Sequence, residues 1–238
     1  MTRITIFNEF VQERMQDDVK SVYPDGIHVA LGAFLSPEED FSVTYATQDM
    51  PEHGLTQEVL QNTDVLLWWA HLKHEEVDDK VVQRVFEHVN AGMGLIVLHS
   101  AHASKIFSRL MGTQTLDLRW REDDELARHW VVNKGHPIAQ GVGDYFEVEH
   151  DETYGEPFAI PEPDELVFIC WYPGGEVFRS GCCFRRGQGR IFYFQPGHET
   201  IPVYHNNEMV QKVIKNAIRW AHAPYRFTYT VAHTQKLN

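Results

Sequence analysis

The first half of the chain alternates short apolar segments, typical of buried strands, with amphipathic segments, typical of helices. Strands are predicted at TRITIF, FSVTYAT, DVLLWWAH and GLIVL, and the last contains no polar residue, as expected of a strand buried on both faces. Helices are predicted at VQERMQDDVKSVYP, at TQEVLQN with Thr56 as its N-cap, and at VDDKVVQRVFEHVNAG. Helices alternating with strands predict a parallel sheet that is covered on both faces and connected by right-handed crossovers.

The second half follows a different pattern. From about residue 111 to residue 163 the sequence is polar and rich in turns, and we interpret it as a β-rich insertion whose loops cover a sheet edge or the site. Two or three more strands follow, with Gly187-Gln188-Gly189 as a hairpin turn, and then a helix at NEMVQKVIKNAIRWA. The sequence therefore predicts one α/β domain over residues 1–222, a three-layer αβα sandwich with a mostly parallel central sheet, and an extended arm at residues 223–238.

Composition and charge exclude several classes of protein. The 34 Asp and Glu residues against 21 Lys and Arg residues give a net charge of −13, which repels nucleic acid and anionic lipid, so we expect neither as a partner. The apolar runs are far shorter than the ~20 residues of a spanning helix, and the chain opens on a strand rather than a signal peptide, which predicts a cytoplasmic protein. Neither phosphate-loop motif occurs, so no nucleotide cofactor is expected. The three cysteines fall in late strands and are expected to be reduced and structural.

Polar side chains follow the predicted parallel strands at their carboxyl ends, where open α/β sheets bind ligands. These residues are Asn8, Glu9, His71, His74, His99, Ser100, His102, His198 and Glu199. A lone histidine at a strand end is more often a structural residue than a functional one. The hypothesis of a site therefore depends on several of these side chains meeting at one edge of the sheet.

The segment HSAHASK predicts a strand, a turn and a helix in succession, as in a nucleophile elbow. In that interpretation Ser100 is a nucleophile, or the loop, which includes His102, clamps a substrate oxygen. In the structural interpretation Ser100 only caps the following helix. The sequence leaves both open.

Two H-x-x-H pairs, His71 with His74 and His99 with His102, raise the hypothesis of a metal site. Zinc takes imidazole and carboxylate ligands and keeps one position open in catalytic sites. His71, His99 and His198, with Glu152, could hold zinc or another divalent metal. The spacing alone is not diagnostic, and the hypothesis requires these three imidazoles to meet at one edge of the sheet.

The segment HDETYGEPF supplies candidate acid/base carboxylates in Asp151, Glu152 and Glu156 and a hydrogen-bonding aromatic residue in Tyr154, with a solvated acidic turn as the alternative. Trp69 and Trp120 are predicted near these polar ends. Aromatic faces beside carboxylates suit the C–H faces of a sugar ring. Because Trp68 and Trp69 point to opposite faces of their strand, at least one of them is expected in the core.

In order along the chain, YPDGIH, GMGLIVLHSAHASK, HPIAQGV, ETYGEPF and PGHE resemble the trehalose-utilisation ThuA-like family, whose members share the flavodoxin-like fold of class I glutamine amidotransferases. The resemblance implies a role in the use of trehalose, related disaccharides or their 3-keto forms. Amidotransferases place a Cys at the elbow and a His followed by Glu at a later strand end, and here Ser100 and His198-Glu199 resemble those elements. Since the elbow Cys is absent, glutamine hydrolysis is not expected.

Three hypotheses of function follow. The first is an enzyme that acts on a small-molecule sugar through acid/base chemistry by His198 and Glu152, with or without a metal at His71 and His99. The second is a non-catalytic carbohydrate-binding or regulatory protein of trehalose utilisation. The third is a Ser100 hydrolase. Assembly into a homo-oligomer is compatible with all three.

Overall fold

The architecture is that of one mixed sheet with helices on both faces. A computed structural model describes residues 1–227, 234 and 236. The strands are β1 (Thr2–Asn8), β2 (Phe41–Thr47), β3 (Val65–Trp69), β4 (Gly94–Leu98), β5 (Arg119–Val131), β6 (Tyr145–Gly155), β7 (Glu165–Trp171), β8 (Val177–Arg186) and β9 (Gly189–Phe194). The helices are α1 (Gln12–Met15), α2 (Asp17–Val22), α3 (Ile27–Leu35), α4 (Gln57–Gln61), α5 (Asp79–Asn90), α6 (Lys105–Met111), α7 (Val203–Asn206) and α8 (Glu208–Ala221).

The sheet has two halves of different strand direction. Its order is β2-β1-β3-β4-β9-β8-β7-β5-β6; β2, β1, β3, β4 and β9 are parallel, and each strand from β8 outwards is antiparallel to its neighbour. The prediction of a mostly parallel sheet is therefore wrong. The lengths of the connections explain the antiparallel half. A parallel pair needs a long crossover, whereas the tight turn at Gly187 between β8 and β9 can join only antiparallel neighbours.

Helices cover the parallel half and explain its apolar strands. α3 packs on β1 and β2 and α8 on β4 and β9, whereas α5 contacts β9 and packs between α4 and α6. Every residue of β3 and β4 is consequently buried. Thr56 caps α4 as predicted, since its side chain accepts a hydrogen bond from Val59 N–H. α3 was not predicted, because its nearly uniform apolar sequence carries no polar stripe.

The outer strands β5 and β6 build a ribbon over the carboxyl edge of the parallel strands. β5 pairs with β7 only through residues 128–131, and the rest of β5 pairs with β6 alone. We call residues 119–125 of β5 and 151–155 of β6 the ribbon. Its register is irregular between Arg121 and Glu125, as at a β-bulge, and bulges commonly re-aim a side chain beside an active site. The ribbon belongs to the segment predicted as a β-rich insertion.

The remaining sequence predictions concern the cysteines and the C-terminal arm. Cys170, Cys182 and Cys183 are free and buried. At the start of the arm, Phe227 N–H donates to the Ala91 carbonyl at 2.9 Å; residues 228–233, 235, 237 and 238 of the predicted arm lie outside the described residues. Among the helices described, none is both long enough and apolar enough to cross a membrane.

Candidate metal centre and its cleft

Three histidines from separate loops meet at the carboxyl edge of the parallel strands. His71 follows β3, His99 follows β4 and His198 follows β9. The ring centroids of His71 and His99 are 6.5 Å apart, those of His71 and His198 6.3 Å, and those of His99 and His198 5.4 Å. The convergence that the sequence hypothesis required is therefore present.

Two of these histidines form a potential ligand set with a carboxylate of the ribbon. His99 Nε2, His198 Nε2 and an oxygen of Glu152 lie within 4.8 Å of one another, and all three residues are buried. Glu152 Oε2 is 3.1 Å from His99 Nε2 and 4.0 Å from His198 Nε2, but none of these three atoms makes a well-aligned hydrogen bond within the described part of the chain. Buried polar atoms are normally satisfied, so a cluster of unsatisfied ones needs an explanation. Two imidazole nitrogens and one carboxylate are a common ligand set for a divalent cation.

The backbone and an outer hydrogen bond orient His99. Its φ is +50°, in the left-handed region that a non-glycine residue seldom occupies. Its Nδ1 lies 2.8 Å from the carbonyl oxygen of Gln195; a carbonyl can only accept, so Nδ1 carries a proton, and Nε2 is the nitrogen that faces Glu152 in the cluster. An imidazole whose far nitrogen donates to a carbonyl is the usual arrangement of a metal ligand.

His198 is held by a glycine turn and a threonine. Gly197 has a φ of +137°, and a Cβ there would lie 1.9 Å from the Tyr204 hydroxyl oxygen, so only glycine fits where the loop enters the site. His198 Nδ1 is 2.8 Å from Thr200 Oγ1. These contacts turn His198 Nε2 towards Glu152.

His71 lies beside the cluster and is paired with a different carboxylate. Its Nδ1 is 2.9 Å from Glu199 Oε1 and 2.9 Å from Gln12 Oε1, while the second oxygen of Glu199 lies 3.8 Å from His198 Nε2. Because Glu199 engages the Nδ1 side of His71, its Nε2 is the nitrogen left for a ligand in the cleft. Such a pair of histidine and carboxylate is suited to proton transfer.

Burial and neighbouring charges set the protonation of the site. Burial lowers the pKa of His99, but the carboxylates of Glu152, Glu199 and Asp151 outweigh it and raise that pKa to about 9. Burial raises the pKa of Glu199, but the nearby His71 outweighs it and lowers that pKa to about 2. Burial also lowers the pKa of His102 to about 4. Thus the cleft mixes charged and neutral imidazoles.

An open cleft with two lobes leads to the cluster. The first lobe, of about 270 Å³, is lined by His71, His74, Ser100, His102, Ala103, Leu116, Leu118, Trp120, Glu122, Glu152 and Tyr154. The second, of about 190 Å³, is lined by Glu122, Asp124, Asp151, Glu152, His198, Thr200 and Ile201. Glu122 and Glu152 border both lobes. A larger groove of about 760 Å³ adjoins the second lobe at Thr200 and Ile201, but none of the unsatisfied buried atoms belongs to a residue that lines it.

Residues 3–221 match the family model of ThuA, described as trehalose utilisation. This chain belongs to the ThuA family. No curated protein sequence matches it.

Solved structures show the same fold at low sequence identity. A protein described as ThuA-like from Parabacteroides merdae ATCC 43184 is 14% identical, with a TM-score of 0.71 over 97% of this chain and 92% of that one. Another from Bacteroides uniformis ATCC 8492 is 14% identical, with a TM-score of 0.65 over 94% and 92%. A cytoplasmic protein from Salmonella typhimurium LT2 is 12% identical, with a TM-score of 0.62 over 94% and 100%. These likenesses support the ThuA fold.

Several residues predicted from the sequence line the cleft of this ThuA-family chain. Trp120 stands at the mouth with 64% of its surface exposed. Tyr154 is buried and its ring stacks on His99, with centroids 5.3 Å apart. Ser100 also borders the first lobe, but its hydroxyl donates to the Ala70 carbonyl at 2.9 Å and bonds to no imidazole in the described residues. It does not cap a helix either, since Ser104 caps α6.

Other predicted binding residues lie behind the cleft and not on its surface. Trp69 is buried, and its indole N–H donates to the Gly197 carbonyl at 3.2 Å, so it supports the His198 loop. Asn8 is buried and donates to Glu13 at 2.7 Å. Glu9 is buried and accepts hydrogen bonds from the backbone N–H groups of residues 71–73. The prediction that these three side chains face the substrate therefore needs correction: their polar atoms are bonded to the chain, and Trp69 and Glu9 position the loops that bear His198 and His71.

Sequence reasoning missed three residues of the site. Gln12 contacts both His71 and Glu199, Gln195 orients His99, and Glu122 lines the second lobe beside the predicted carboxylate Asp151. Gln195 follows β9 directly, so its position at a strand end was an available signal. Gln12 begins a short helix and Glu122 lies within a strand, so no signal in the sequence indicated that either residue belongs to the site.

Proposed function

We propose that this chain is a sugar-processing enzyme that uses a divalent cation held by His99, His198 and Glu152. The observation that carries the proposal is the convergence of three buried, unsatisfied ligand atoms on one point. The family supports a role in carbohydrate utilisation. The cation would supply Lewis-acid stabilisation of a sugar oxygen.

His71 is the proposed proton-transfer group. It borders the first lobe, and Glu199 and Gln12 occupy its Nδ1 side, so its Nε2 is available to a bound sugar. Trp120 offers an exposed aromatic face to the C–H face of the sugar, and Tyr154 closes the lobe behind it. A Ser100 nucleophile lacks support, because no base contacts its hydroxyl among the described residues.

The test begins with the cation. The chain is purified without chelators and its metal content measured by mass spectrometry. Zn²⁺ and Mn²⁺ are then titrated calorimetrically into chelator-treated protein. We expect a single ion per chain, and at least about tenfold weaker binding in His198→Ala and Glu152→Gln. His150→Ala, at an exposed histidine of β6, is the control and should bind as the wild type does. Equal affinity for the ion in all variants would contradict the proposal that His198 and Glu152 bind it.

The second step separates an enzyme from a binding protein. Metal-loaded protein is incubated with trehalose and with its 3-keto derivative, and ¹³C NMR follows the anomeric and carbonyl carbons. Conversion that is lost in His71→Ala supports the enzyme. Binding of these sugars without conversion supports the non-catalytic alternative.

A further inference from the structure

Glu122 stands where the two lobes of the cleft meet. It borders both of them, and its Oε1 lies 3.9 Å from His198 Nε2. Its side chain is 59% exposed, and it has no Lys or Arg partner among the ion pairs of the described residues. The carboxyl group is therefore accessible to a ligand in either lobe.

The irregular strand around Glu122 fixes this orientation. Its neighbour Arg121 turns to the opposite side of the strand, where it pairs with Glu176, Glu125 and Asp123. Asp124 has a φ of +57°, which marks the bulge. Alternation along the strand thus directs Glu122 towards the cleft while the arginine is held outside it.

The two lobes differ in chemistry. The first offers apolar and aromatic surface from Leu116, Leu118 and Trp120, which suits the C–H face of one sugar ring. The second offers the oxygens of Asp124, Asp151 and Thr200, which suit hydroxyl groups. A ligand that fills both must pass beside Glu122.

The cleft repels anions. Of the described residues that line the two lobes, none is Lys or Arg. Four carboxyl groups lie in or beside the lobes, those of Glu122, Asp124, Glu152 and Glu199. Sites that bind phosphate groups generally present Arg, Lys or free backbone N–H groups.

We propose that Glu122 is the specificity-determining residue of the cleft: it lies beside the junction of a two-ring sugar that spans both lobes, and it excludes phosphorylated sugars. This proposal rests on the proposed function. It adds to that function the residue that selects the ligand, the ligand's size of two sugar rings, and the exclusion of ligands that carry a phosphate.

The experiment measures calorimetric affinities of the full chain, zinc-loaded and chelator-treated, for α,α-trehalose, glucose and trehalose 6-phosphate. We expect trehalose to bind at least about tenfold more tightly than glucose, and at least about tenfold more tightly than its phosphate. Glu122→Gln should reduce the ratio of the affinity for trehalose to the affinity for trehalose 6-phosphate by about three- to tenfold. Glu149→Gln removes an exposed carboxylate of β6 outside both lobes and should leave that ratio unchanged.

Equal affinities for glucose and trehalose would overturn the two-ring ligand. A trehalose 6-phosphate that binds as tightly as trehalose, or a ratio that Glu122→Gln does not change, would overturn the role of Glu122. Both results require sugar binding, so they differ from failure of the proposed function, in which the wild-type chain binds none of the three sugars. Glu122→Ala provides a second variant and should relax the ratio in the same direction.

Discussion

Glu199 Oε1 lies 2.9 Å from His71 Nδ1, although one residue follows β9 and the other follows β3. The contact crosses β4, which lies between these strands in the sheet. It therefore joins two loops that the sequence keeps far apart, and it has a measurable dependence on pH.

Replacement of Glu199 by Gln should change the acid sensitivity of folding. The pKa of Glu199 is about 2 in the folded chain against its ordinary value of 4.5, so ionised Glu199 stabilises the fold above pH 4.5, and this contribution is lost as the pH falls towards 2. This difference in pKa corresponds to about 3 kcal/mol. Urea unfolding of chelator-treated protein from pH 3 to 6 should show the stability of Glu199→Gln approaching that of the wild type as the pH falls. A constant difference would contradict the depressed pKa.

A buried histidine that lines neither lobe of the cleft should destabilise the fold in acid. Burial lowers the pKa of His129 to about 3, so between that value and the unfolded pKa near 6.5 only the unfolded chain takes up the proton. At pH 5 the cost is about 2 kcal/mol. His129→Phe keeps the stacking on Phe146 and should lose less stability between pH 7 and pH 5 than the wild type. His150→Phe, at an exposed site, is the control and should retain the wild-type slope.

Removal of a bound cation should lower the melting temperature. An ion present at about a hundred times its dissociation constant stabilises the folded chain by about 2.7 kcal/mol, which for a domain of this size amounts to roughly 5–10 °C. Differential scanning calorimetry with and without EDTA measures the shift. His99→Ala should show no shift with EDTA, whereas a shift of wild-type size in that variant would place the ion elsewhere.

Glu9 should be important for stability although it does not face the cleft. Its carboxylate accepts hydrogen bonds from the backbone N–H groups of His71, Leu72 and Lys73, with N···O distances of 3.0, 3.0 and 2.7 Å. Glu9→Gln substitutes an N–H₂ group for one acceptor, so we expect a loss of about 3 kcal/mol in the free energy of unfolding. Chemical denaturation measures it, with the exposed Glu75→Gln of the same loop as control. A loss below about 1 kcal/mol would show that the loop does not depend on this carboxylate.

The parallel half of the fold was predictable because its central strands are buried on both faces and its strands have sharp ends. FSVTYAT and GLIVL coincide with β2 and β4. The antiparallel half was less predictable, because alternation identifies a strand but not the direction of its neighbour. α3 was missed for a related reason: a helix enclosed on most sides lacks the polar stripe by which periodicity is recognised.

The site was predictable to the extent that topology determines it. Strand ends of a parallel sheet meet, so His71, His99 and His198 could be grouped from the sequence. The partner of a side chain is decided by packing, and for that reason Gln12, which contacts His71, was missed. Trp69 shows the converse, since its place after an apolar run suggested a binding surface whereas its indole is buried against Gly197.

The division of the sheet into two halves has a consequence for local unfolding. His99 and His198 belong to the parallel half, whereas Glu152 comes from β6, the last strand in the sheet order. An outer hairpin of this kind can open without unfolding the rest of the domain. An ion bound by His99, His198 and Glu152 would link the outer hairpin to the parallel half of the sheet. Amide hydrogens of the ribbon would then exchange with solvent more slowly in the metal-loaded protein, because the hairpin could open only together with the centre of the sheet.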